Sequence, residues 1–124
     1  MKGINQVRLE RHLLPLKASP QLAAVAQAHA RDMAEQGYVS HVNPNGEDPL
    51  ARVRAAGIDG LRLLAENIGV SSESGDRITA IIQEWLASPL HRENILNPAF
   101  NTTGLAIVKT GAGETLAVQL YATF

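Results

Sequence analysis

Residues 102–124 read TTGLAIVKTGAGETLAVQLYATF. Two β-prone runs, TTGLAIVKT and ETLAVQLYATF, flank a turn containing Gly111 and Gly113. In the second run Leu116, Val118, Leu120, Ala122 and Phe124 alternate with Thr115, Ala117, Gln119, Tyr121 and Thr123. A period of two is that of a strand with two distinct faces, so the stretch predicts an antiparallel hairpin. The chain before it reads mostly as helix. Helices first and a hairpin last give the class: α+β, with helices packed on an antiparallel sheet.

Immediately upstream lies SPLHRENIL, residues 88–96. Ser88 and Pro89 predict a helix end, with His91 just beyond it and Ile95 and Leu96 as apolar anchors. The helix before them runs from about Asp76 to Ser88, with Ile78, Ile81, Ile82, Trp85 and Leu86 on one face. SSESG, residues 71–75, reads as a polar turn, and LRLLAENIGV, residues 61–70, as a strand or extended segment.

A short helix is expected from Asp48 as cap and Pro49 as first residue, with Leu50 and Val53 inward and Gly57 as its stop. SHVNPNGEDP, residues 40–49, is a loop, because Asn43-Pro44 and Asn45-Gly46 are turn signals. Before it, Ser19 and Pro20 open a helix with Leu22, Val25, Ala26, His29 and Met33 on one face, closed by Gly37. Residues 4–14 read as a first helix ended by Pro15.

Length and composition bound the function. The 124 residues, 45% hydrophobic, suit one domain over 1–124 with one core. A net charge of −1 without a basic stripe argues against nucleic acid as partner. The absence of cysteine removes disulfides, thiolate catalysis and thiolate zinc sites. No apolar run reaches membrane-spanning length. At the start, Arg8, Glu10 and Arg11 stand where a signal peptide needs its apolar stretch, and no small-residue cleavage site follows. That fits a cytosolic protein or a mature segment without its leader.

Four histidines could carry chemistry. His12 sits among charges near the end of the first helix and reads as exposed, and His29 on an apolar helix face as a satisfied boundary residue. His41 and His91 fall just past helix ends, where sites concentrate. Glu66 lies between apolar neighbours in LLAENIG, and a buried carboxylate there needs partners. Two imidazoles would serve, so His41, Glu66 and His91 are the candidate constellation. No HExxH ties them to one helix face, and three locally satisfied polar residues are the alternative. The chain has no GxSxG elbow, Walker loop or GxGxxG fingerprint. Asp32, Glu35, Glu47 and Asp48 read as solvated charges, and Trp85 as core.

The series LLPLKASPQLAAVAQAHARDMAEQG, SHVNPNG, RVRAAG, AENIG, EWLASPLHRENILNPAF and TGLAIV resembles the CAP superfamily, or SCP domain. That family holds cysteine-rich secretory proteins, antigen 5 and pathogenesis-related 1 proteins, and the likeness is to its cysteine-free bacterial branch. It implies an α–β–α sandwich, a small antiparallel sheet between helical layers. It also implies a cleft with a tetrad of two His and two Glu. His41, Glu66 and His91 match three of these, and Ser88 stands at the fourth, where other members carry Glu.

Three functions follow from the resemblance. The foremost is a non-catalytic extracellular or envelope module, with His41, Glu66, Ser88 and His91 in the cleft. It would bind a small molecule, lipid or cell-wall ligand as a monomer. His41 and His91 could also hold Zn²⁺. Second comes a purely structural His–Glu–His network. Third is a metal-dependent, peptidase-like hydrolase with His41 and His91 as ligands and Glu66 as base. Two imidazoles alone would make a loose zinc site, so the expectation leans away from an enzyme.

Overall fold

The computed structural model describes residues 3–72 and 74–124. In chain order its elements are α1 (Ile4–Glu10), β1 (Lys17–Ala18), α2 (Pro20–Gln36), α3 (Pro49–Ala55), β2 (Leu63–Ser71), α4 (Arg77–Ala87), α5 (Pro89–Leu96), β3 (Thr102–Lys109) and β4 (Thr115–Thr123). The strand order is β1-β3-β4-β2. The hairpin β3–β4 and the pair β2–β4 are antiparallel, as expected, but β1 pairs with β3 in parallel, so the sheet is mixed.

The alternation in β4 becomes the division between two cores. Leu116, Val118, Leu120 and Ala122 pack with Leu22, Val25, Ala26 and Met33 of α2 and Val53 of α3. Ala117 and Tyr121 pack on the opposite side with Ile4 and Val7 of α1, Ile81, Ile82 and Trp85 of α4, and Ile95 of α5. As a central strand covered on both faces, β4 is buried from Thr115 to Ala122. The architecture is therefore the expected sandwich, with α2 and α3 on one face and α1, α4 and α5 on the other.

Two glycines let the layers close. A Cβ on Gly104 of β3 would lie 2.3 Å from the Ala23 nitrogen and 2.4 Å from the Leu22 carbonyl carbon of α2. On Gly69 of β2 it would lie 2.4 Å from Ile81 Cγ2. Trp85 is core, as expected, and its indole Nε1 donates to the Ile68 carbonyl at 3.0 Å.

Three local expectations are corrected. The first helix ends at Glu10 rather than residue 14. His12 sits beyond its end with φ +59°, while the buried Arg8 guanidinium collects the carbonyls of Leu14, Ile95, Asn97 and Phe100. Those bonds are tertiary and replace further helical turns. Leu50 points outward at 36% exposure, leaving Val53 as the fully buried contact of α3. α4 does end at Ala87 with Ser88 extended before Pro89, as expected, but Pro89 also opens a further helix, α5, where a loop was expected. The caps read from sequence hold: Ser19 and Asp48 each accept a backbone N–H at their helix starts, and Asp76, expected as the start of its helix, caps it in the same way. The expected turn at residues 71–75 includes Glu73, outside the described residues.

Candidate functional site

Adjacent residues of a strand face opposite sides, and in β2 this governs the site. Glu66 pairs in register with Leu120 and Asn67 with Gln119. Glu66 therefore faces the α2–α3 layer and Asn67 the α4–α5 layer.

On the first side, Glu66 Oε1 lies 2.9 Å from His41 Nδ1 and accepts from Arg52 Nη2 at 3.0 Å. Its Oε2 is 2.9 Å from the same Arg52 nitrogen but outside hydrogen-bond geometry. That nitrogen also donates to the His41 carbonyl at 2.9 Å, fixing the loop to α3. The side chains of Glu66 and Arg52 are 1% and 8% exposed, whereas the His41 imidazole is 53% exposed. A charged, buried carboxylate is thus matched by a buried guanidinium, with the imidazole as an outer partner.

On the second side, Asn67 is fully buried. Its amide nitrogen donates to the His91 carbonyl and the Tyr121 hydroxyl, each at 3.1 Å, and its oxygen accepts from Asn94 at 2.9 Å. Asn67 thereby pins α5 to the sheet. His91, in the first turn of α5 rather than past a helix end, places Nδ1 2.9 Å from Ser88 Oγ. Burial acts on the Tyr121 phenol against the Asn67 hydrogen bond and the Arg8 charge. Burial wins and raises the phenol well above its usual value.

Of the residues singled out from sequence, His41 and Glu66 meet, and Ser88 and His91 meet. No hydrogen bond or ion pair joins the two couples. Arg52 and Asn67, which organise the two sides, went unflagged although RVRAAG and AENIG contain them. Cavities of about 660, 480 and 420 Å³ open on the surface, and none is lined by His41, Glu66 or His91.

Among the described residues, no three His, Cys, Asp or Glu side chains are grouped to hold a metal ion. His41 and His91 each have Nδ1 engaged, which leaves Nε2 as the one nitrogen each could offer a metal, and Glu66 is held by Arg52. Structural zinc takes four protein ligands and catalytic zinc three, so these residues do not fit a resident catalytic zinc.

Two other polar residues depart from expectation. Asp32 is not merely solvated, since it accepts from the Tyr38 hydroxyl and the Gln36 amide. Burial and the Asp32 bond raise the Tyr38 phenol to about 12. His29 is buried on α2 with Nε2 2.7 Å from the Ser40 carbonyl, but its Nδ1 has no partner. Burial lowers its pKa, ahead of the opposing effect of the Ser40 bond.

The profile of the CAP family, described as the cysteine-rich secretory protein family, matches residues 1–121. The chain belongs to the CAP family. Its relatives include the Bacillus subtilis protein YkwD, 30% identical over 108 residues, or 87% of this chain and 40% of that one. Among solved structures, an extracellular SCP-domain protein of Bacillus anthracis superposes with a TM-score of 0.83 at 29% identity. The match covers 98% of this chain and 38% of that one. An outer surface protein of Borrelia burgdorferi gives 0.86 at 23% identity, covering 97% and 86%, a likeness of fold. This CAP chain thus spans less than half the length of YkwD and of the Bacillus anthracis protein. Among its described residues, no helix is long and apolar enough to cross a membrane.

Proposed function

We propose that this CAP chain is a secreted or envelope-associated binding module without catalytic activity. It recognises a small molecule, lipid or cell-wall ligand through the surface around His41, Glu66, Ser88 and His91. The observation that carries this reading is the state of Glu66. The one candidate base in the motif is buried and already engaged by Arg52 and His41. A general base must reach the proton it removes, and this carboxylate is committed to an ion pair. The Ser88–His91 contact spans three residues at a helix start, which orients the imidazole locally. His41 and His91 keep Nε2 for a ligand. Similarity to a protein described as extracellular supports the location.

The purely structural network has one observation in its favour, the near-complete burial of Glu66 and Arg52. The readings separate by retention of lipid vesicles and cell-wall fragments on the folded domain. The binding reading expects retention that His41→Ala and His91→Ala each weaken without unfolding. Absent retention, or retention indifferent to both variants, would leave the network structural.

A further inference from the structure

The cavity of about 660 Å³ lies between α2, α3 and the loop at residues 43–47, apart from His41 and His91. Such a volume is that of a small-molecule pocket. Its apolar wall is formed by Ala24, Val25 and Ala28 from α2, Ala55 and Ala56 near the end of α3, and Ile58. Arg52 and His29 also line it, and both are unsatisfied. Arg52 uses Nη2 for Glu66 and the His41 carbonyl, while Nε and Nη1 are buried without a partner. His29 Nδ1 is likewise buried and unpartnered. Two residues lining one cavity thus hold three buried polar atoms without a partner, and such groups call for one.

The chemistry of that occupant follows from the wall. A carbonyl only accepts, so His29 Nε2 carries the proton shared with Ser40, leaving Nδ1 of the neutral ring as an acceptor. Burial lowers the pKa of this ring, which keeps it neutral. Arg52 offers N–H donors, but its charge is spent on Glu66. Asp32 and Glu47 on the rim oppose an anion. An ammonium head would leave the Arg52 donors unanswered. A hydroxyl can accept from Arg52 and donate to His29.

We propose that this cavity is a second ligand site, taking a neutral molecule with an apolar body and a hydroxyl head. The site shares Arg52 with the surface around His41 and Glu66, but neither His41 nor His91 lines it.

The test is an amide NMR titration of the whole chain at pH 7.5 with 1-octanol, octanoate and octylammonium, which share one tail. Saturable shifts at Ala24, Ala28, Ala55 and Ala56 are expected with 1-octanol, about tenfold tighter than with either ion. Ala28→Trp, at an exposed helix position on the cavity wall, should abolish them while the chain stays folded. No saturable shift would mean the cavity holds water only and would overturn the proposal. Equal affinity for all three probes, preference for an ion, or shifts confined to other surfaces would overturn it too.

Discussion

Changing Glu66 to Gln removes the counter-charge of Arg52 while leaving the guanidinium in place. The two side chains are 1% and 8% exposed, so water does not take over the lost role. Breaking one half of a buried pair costs about 3–5 kcal/mol when nothing replaces it. Here the Gln carbonyl can still accept from Arg52 Nη2, and the exposed His41 bond contributes little, so a loss of about 2–3 kcal/mol is expected. At about 2.1 cal/mol/K per residue, the 124-residue chain has an unfolding entropy of roughly 0.26 kcal/mol/K, which converts this loss to about 8–12 °C in Tm. Urea unfolding read by the single, buried tryptophan, Trp85, measures it directly. The double variant Glu66→Leu with Arg52→Met should recover most of the loss, because an apolar pair replaces both charges. A Glu66→Gln cost below about 0.5 kcal/mol, or a double variant as unstable as the sum of the singles, would refute the reasoning.

Other expectations concern packing, protons and metal. Gly104→Ala drives a methyl into the backbone of α2 and should cost about 1–3 kcal/mol or more, measured by the same unfolding assay. His29 has a folded-state pKa below that of the unfolded chain, so its stability contribution is complete above about pH 6.5. It is lost as pH falls from there through the lowered folded value. His29→Gln should flatten that acid limb in unfolding free energy measured against pH, and an unchanged slope would contradict it. Calorimetric titration with Zn²⁺ should reveal no site that both His41→Ala and His91→Ala remove. A one-site isotherm lost in both would establish a shared metal centre.

The apolar stripes of α2 and α4 and the caps Ser19 and Asp48 are local and were legible in the sequence, whereas Leu50 of α3 was not. The hairpin was legible too, since the alternation in β4 is what sorts its side chains into two cores. What escaped reading depends on distant partners. Residues 11–14 leave the helix because Arg8 binds carbonyls far along the chain as well as Leu14. β1 exists only through two pairings with β3. Pro89 follows the end of α4 and also begins α5, and only the first role was legible. At the site, the pairing of His41 with Glu66 was anticipated from the need of a buried carboxylate for partners. The pleat of β2, which turns Glu66 and Asn67 to opposite layers, and the arrival of Arg52 from α3 needed the fold.

The central claim is that Glu66 sits in a binding surface and not in a catalytic centre. The direct measurement is mass spectrometry of cell-wall fragments incubated with the wild-type domain, with and without chelator, beside Glu66→Gln, His41→Ala and His91→Ala. The account predicts fragments recovered intact, retained by the wild type and less retained by the two histidine variants. New termini that disappear with chelator and with Glu66→Gln would contradict it and make the domain a metal-dependent hydrolase.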